Sequence, residues 1–311
     1  MYFPYLRGKQ FDLLALKELK SLLYANREKI SPIIEPVKSS STLTSTLLDL
    51  SKHNINFNII VNPKVGDLTK DTKSILESIE KPLAGHSFYQ IAVLIEPKTD
   101  YEELLTSILN YNLTPQGFTF IHNEIEDKIE DLIEYFARFY PVLNNVINFK
   151  RTNRRYDRKF ESGTKVSLDD YFVCQPRNVD YYEQDSQFSD EHLYYKEEGF
   201  KGFSDFMTVG SNYSEGGFLP YAVAIHISYK DEKGAIRVKH FVSESNTDDK
   251  DTPGKFFEAN AKLVKWCDEN DLHTKAIDTF RRLQESGNFP GLGTVKKLSI
   301  MNHIELVLSL I

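Results

Sequence analysis

Ile91-Ala92-Val93-Leu94-Ile95-Glu96-Pro97-Lys98 is the stretch on which the fold turns. Five consecutive apolar residues leave no polar face, which suits a strand covered on both sides, as in the parallel sheets of α/β proteins. Pro97 then ends the strand, because proline donates no ladder hydrogen bond and holds its predecessor in extended geometry. Asp100 follows at the position of a helix cap, and residues 101–109 space their apolar side chains as a helix does. The stretch reads as one βα unit.

The same unit recurs on both sides. Ile33-Ile34-Glu35-Pro36-Val37-Lys38 repeats the pattern apolar-apolar-Glu-Pro followed closely by Lys, and Ile60-Val61-Asn62-Pro63-Lys64 repeats it with Asn for Glu. Strands are expected at 2–6, 32–35, 58–62, 91–96, 118–122 and 146–149, with helices near 11–24, 42–50, 70–79, 100–109 and 125–139. Residues 1–149 therefore hold six regular βα units, compatible with an open doubly wound sheet or a closed barrel. No GxGxxG follows the first strand, which removes the dinucleotide-binding version of the open sheet. Polar residues stand just beyond the C-terminal end of strand after strand, where a barrel opens all its βα loops on one face. The expected class is α/β, a (β/α)8 TIM-barrel-like fold spanning 1–311 as one domain.

Regularity fails after residue 150. Residues 150–220 form an irregular insertion in which only Tyr171-Phe172-Val173-Cys174 reads as a strand. Residues 221–243 read as a β-hairpin across Asp231-Glu232-Lys233-Gly234, and 254–311 as C-terminal helices. The last two barrel units are thus expected to be decorated or distorted. The final helix is apolar enough to be buried or to meet another subunit.

Composition narrows the class. The chain has 311 residues, is 41% hydrophobic and 27% charged, and can therefore bury a large core. A net charge of −7 argues against non-specific nucleic-acid binding, which needs surplus Lys and Arg. Two cysteines allow no disulfide framework and fit a reducing compartment. No apolar run is long enough for a membrane span, and Met1–Arg7 lacks the features of a secretion signal. A cytoplasmic protein without membrane association is the expectation.

The three echoing segments place their polar residues together at the barrel mouth. Glu35 and Glu96 are suited to divide general acid and base roles, with Asn62 as an orienting amide, or to bind Mg²⁺ through oxygen ligands. His122 lies at the end of the fifth strand and joins them as a candidate catalytic residue. Arg7, Lys9, Lys38, Lys64 and Lys98 are suited to grip a phosphate or carboxylate. Equally, Glu and Lys at strand ends can simply pair and close the rim. The run Lys150–Lys159 contains Arg151 and Arg154 and could hold a nucleotide phosphate or nucleic-acid backbone, or pair with the acidic stretch 180–198. The eight histidines show no zinc spacing, no GxSxG elbow is present, and Gly287–Thr294 lacks the GK[ST] ending of a phosphate loop.

The opening Tyr2-Phe3-Pro4-Tyr5-Leu6-Arg7-Gly8-Lys9-Gln10-Phe11, with Ala15–Leu19 and Ile30-Ser31-Pro32-Ile33-Ile34-Glu35, resembles the beta protein family of bacteria and phages. Gly202–Phe206 and Phe289–Thr294 extend the resemblance down the chain. It implies a barrel-like fold and a place in mobile or antiphage gene clusters beside an operon-encoded protein partner, and it brings no catalytic mechanism. Two functions stand side by side. One is an enzyme, such as a hydrolase, or a binding protein that takes a phosphorylated or nucleotide-like anion at the mouth. The other is a non-catalytic scaffold or sensor that binds a protein or nucleic acid through 150–220.

Overall fold

The computed structural model describes residues 1–153, 155–215 and 219–311. They form two compact units, Met1–Asp170 with Tyr194–Asp205, and Tyr171–Leu193 with Phe206–Ile311.

The first unit is the barrel. Its strands are β1 (Tyr5–Leu6), β2 (Ile33–Ile34), β3 (Phe57–Ile60), β4 (Tyr89–Ile95), β5 (Gly117–His122), β6 (Val142–Asn148), β7 (Lys165–Asp169) and, after β8 (Asp185–Ser189) of the second unit, β9 (Gly202–Asp205). Every neighbouring pair runs parallel in the order β1-β2-β3-β4-β5-β6-β7-β9. The seam is joined by a parallel bridge between Tyr2 and Phe203, where Phe3 N donates to the Phe203 carbonyl at 2.8 Å. Gly202 permits this approach, since a Cβ there would lie 2.4 Å from the Met1 carbonyl oxygen. The (β/α)8-type barrel expected from the sequence is therefore the observed fold.

Helices α1 (Gln10–Glu18), α2 (Lys20–Ala25), α3 (Ser41–Lys52), α4 (Thr72–Leu83), α5 (Tyr101–Leu109) and α6 (Ile129–Ala137) alternate with the first six strands. Side-chain caps start three of them: Ser40 accepts from Leu43 N, Asp71 from Ser74 N and Asp100 from Glu103 N. After β6 the alternation lapses, with only a 3-10 helix, Tyr156–Lys159, before β7 and a short α7 (Glu191–Tyr194) before β9. One strand lies elsewhere than expected. Tyr171–Cys174 has no regular structure, and the seventh strand is Lys165–Asp169. Its buried members include Lys165 and Ser167, so it lacks the apolar run by which the other strands are recognised.

A string of polar side chains crosses the interior. Asn58 Nδ2 donates to Ser31 Oγ at 3.0 Å, Thr119 Oγ1 donates to Asn58 Oδ1 at 2.6 Å, and Asn144 Nδ2 donates to Thr119 Oγ1 at 2.9 Å. All four residues are buried, and each satisfies another.

The second unit holds an antiparallel sheet of order β10-β11-β8, built on the hairpin β10 (Ala224–Lys230) and β11 (Ile236–Val242). Helices α8 (Thr252–Glu269), α9 (Lys275–Ser286) and α10 (Leu292–Leu310) complete it. The apolar α10 packs on β10, and Asn302 Nδ2 donates to the Ser228 carbonyl at 2.9 Å, so its stripe is buried within the unit. Among the described residues no helix is long and apolar enough to cross a membrane.

Candidate functional site

The loops after β3 and β4 enclose a cleft of about 750 Å³ at the C-terminal end of the barrel strands. Asn62, Lys64, Lys70, Lys73, Glu96 and Lys98 line it, together with the first residues of α4 and α5. A volume of this order suits a small organic ligand. The two loops are built alike. Each leaves its strand through a proline, Pro63 or Pro97, then carries a lysine in the left-handed region just ahead of the Asp that caps the next helix. Lys70 and Lys98 both have φ 67°, a conformation that costs energy for a side chain larger than glycine.

The acidic side chains of the cleft are largely engaged. Asp71 accepts from Ser74 N at 3.0 Å and Asp100 from Glu103 N at 2.9 Å, while Glu96 Oε2 pairs with Lys64 Nζ at 2.5 Å. Lys73 reaches Glu77 at 3.8 Å along its own helix. Lys70 and Lys98 are exposed, and among the described residues neither has an ion pair. Two helix N-termini add partial positive charge at the same face.

Asn62 serves the sheet. Its side-chain amide accepts from Leu94 N at 2.8 Å and donates to the Leu94 carbonyl at 2.9 Å, extending the ladder past the point where Pro63 stops it. The amide can do both, which explains Asn where the neighbouring repeats carry Glu. Tyr101 holds the Glu96 backbone in a similar way, its hydroxyl accepting from Glu96 N and donating to Glu96 O. Glu96 Oε1 is buried and takes no hydrogen bond from the described residues.

Glu35 sits apart from the cleft and is fully buried. Its Oε2 accepts from the Tyr5 hydroxyl at 2.7 Å and from Arg7 Nη1, and its Oε1 accepts from Lys64 N at 2.9 Å. Burial and the adjacent Glu35 carboxylate raise the Tyr5 phenol well above its usual range, so it stays a donor. Burial works against the Arg7 charge, but Tyr5 and Glu35 outweigh it and the guanidinium pKa is raised. Lys64 thus joins the two glutamates, Glu35 through its backbone and Glu96 through its side chain. This does not form a Mg²⁺ cradle. Three protein donors occupy the Glu35 oxygens, and among the described residues no three His, Cys, Asp or Glu side chains converge on a cation position.

His122 is also fully buried. Nδ1 faces the Tyr156 hydroxyl at 3.0 Å and Nε2 faces Asn145 Oδ1 at 3.1 Å. Asn145 Oδ1 can only accept, so the proton resides on Nε2 and Tyr156 donates to Nδ1. Burial lowers the imidazole pKa to about 3, which keeps the ring neutral. Of the candidate anion grips, Lys64 and Lys98 line the cleft, whereas Arg7, Lys9 and Lys38 do not, and Lys38 is exposed on the preceding loop. Arg151 is exposed after β6, and Arg154 lies outside the described residues. Lys70, Lys73, Tyr5 and Tyr101 join the site from the structure alone. The sequence reads a helix from residue 70, whereas Lys70 lies in the loop and Asp71 caps a helix that begins at Thr72.

Comparison of the chain with protein-family models and with curated proteins returns no match.

Proposed function

We propose that the barrel binds a phosphorylated or nucleotide-like anion in the cleft between the β3 and β4 loops. The observation that carries this is the convergence of Lys64, Lys70, Lys73 and Lys98 on one cleft at the strand ends, with Lys70 and Lys98 exposed and lacking ion pairs among the described residues. Their left-handed backbones fix where the two side chains start. Binding, rather than a particular reaction, is what this arrangement supports. Glu35 is closed off by its own partners, and Glu96 is the one member of the glutamate pair that faces the ligand space.

The test is calorimetric titration with pyrophosphate and with ADP. Lys70→Gly/Lys98→Gly removes both charges while keeping the left-handed backbone that glycine adopts readily. Charge-assisted hydrogen bonds contribute roughly 1.5–3 kcal/mol each, so the double variant should bind at least about tenfold more weakly. Unchanged affinity, or no saturable binding by the wild-type chain, would remove the basis of the proposal. An antiphage role, implied by the likeness of the opening residues to the beta protein family, belongs to the same proposal. Phage challenge of cells carrying the wild-type or the double-glycine chain reads it out.

A further inference from the structure

The 3-10 helix Tyr156–Lys159 and its flanking residues form a three-sided rod. Residues three apart eclipse one another in a 3-10 helix, so each side carries one pair. One side is Tyr156 with Lys159. Tyr156 is buried with its hydroxyl on His122 and Glu126 N, and Lys159 Nζ donates to the Asp127 carbonyl and Glu130, both at 2.9 Å. The second side is Asp157 with Phe160. Asp157 pairs with Lys165 at 3.3 Å, and Phe160 is buried with its ring 4.7 Å from that of His122. The third side is Arg155 with Arg158. Both are exposed, and among the described residues neither guanidinium has an ion pair or hydrogen bond. Arg155 itself has helical backbone angles, φ −82° and ψ −30°, which keeps it in phase with Arg158.

Two sides are therefore anchored through every aromatic and acidic residue they contain, and the remaining side displays two like charges roughly 6 Å apart along the axis. Like charges at this spacing disfavour the helix unless an anion lies between them. Arg151, also exposed and without an ion pair among the described residues, precedes them in the chain. Two lysines nearby are matched, Lys150 with Asp169 at 3.4 Å and Lys159 with Glu130.

From this geometry we infer that Arg155 and Arg158 are a docking face for the phosphate backbone of a nucleic acid. Guanidinium forks match phosphate oxygens bidentately, and backbone contacts of this kind need no base recognition. A protein partner is disfavoured because the face has no apolar or aromatic anchor, Tyr156 and Phe160 both being buried. The chain's net charge of −7 does not oppose a local grip, but it makes the grip sensitive to salt. The inference stands independently of the cleft.

The experiment is fluorescence anisotropy of a labelled single-stranded oligonucleotide across a salt series, with the full chain and with Arg155→Gln/Arg158→Gln. The wild-type affinity should fall steeply with salt, and the variant should lose about 0.7 from the log–log slope for each arginine removed. At low salt the variant should bind at least tenfold more weakly, with an unchanged circular dichroism spectrum and unchanged pyrophosphate binding at the cleft. Equal affinity and slope for the two proteins would overturn the inference. So would competition by poly-glutamate as effective as that by unlabelled oligonucleotide, which would make the face a site for acidic protein.

Discussion

Removing the Glu35 carboxylate should be among the most destabilising single changes in the barrel. Glu35→Ala strips an acceptor from Tyr5, Arg7 and Lys64 N at once, and the first two are shielded from water: Tyr5 is 3% exposed and the Arg7 side chain 15%. Breaking a buried ion pair from one side costs about 3–5 kcal/mol, because the surviving charge stays desolvated. An orphaned buried hydroxyl or amide adds roughly 1–3 kcal/mol, part of which relaxation recovers. A loss of about 4–5 kcal/mol is therefore expected, a large share of the roughly 5–15 kcal/mol that holds a domain folded. Urea unfolding followed by circular dichroism measures it, with the m-value checked for constancy. The companion Arg7→Leu/Glu35→Leu should recover most of the loss, since it removes both charges together. A cost below about 1 kcal/mol for Glu35→Ala, the size of an exposed pair, would refute the buried-network account.

Two further outcomes follow from buried polar groups. Thr119→Val keeps the side-chain shape but removes the hydroxyl that donates to Asn58 and accepts from Asn144, so it should cost about 2–4 kcal/mol in the same urea assay; a change within 0.5 kcal/mol would mean the string does not hold the interior together. In the second unit, His226 and His240 face each other across the β10–β11 pair with Nδ1 atoms 2.8 Å apart, and burial lowers their pKa values to about 3 and about 4. Unfolding returns them to about 6.5, so the unfolded chain binds more protons between these limits. Their contribution is present above about pH 6.5 and is lost as pH falls toward 4, at up to about 1.4 kcal/mol per pH unit for each proton. His226→Leu/His240→Leu should flatten that part of the stability profile, and an unaltered slope would show that other groups cause it.

The barrel was legible wherever a strand was buried on both faces by apolar residues. β4 is of this kind over Ile91–Ile95, and the βα spacing around it carries the remaining early strands. β7 and β9 escaped for a physical reason. Lys165, Ser167, Ser204 and Asp205 are buried there because partners satisfy them: Asp157 pairs with Lys165, Tyr2 donates to Asp205, and Ser204 donates to the Phe3 carbonyl. Hydropathy cannot register a polar residue whose partner is far away in sequence. The apolar Tyr171–Cys174 misleads from the opposite side, since Phe172 packs against Tyr181 and His226 of its own unit rather than in a sheet.

The candidate site shows the same limit more sharply, because Glu35-Pro36 and Glu96-Pro97 are alike as sequence and differ as chemistry. What separates them is the residue that happens to stand over each carboxylate. Tyr5 and Arg7 from β1 and its loop, with Lys64 N, enclose Glu35, whereas the Glu96 carboxylate meets the flexible end of Lys64 and keeps a face on the cleft. Gly66 contributes to the enclosure: with φ 83° it lies so close to Val37 that a Cβ would fall 2.3 Å from the Val37 carbonyl oxygen, and this draws the β3 loop down over the β2 loop. The echo in the sequence locates the rim of the barrel. Which of its glutamates is enclosed and which faces the cleft is decided by contacts between loops, and those become visible only once the ring is closed.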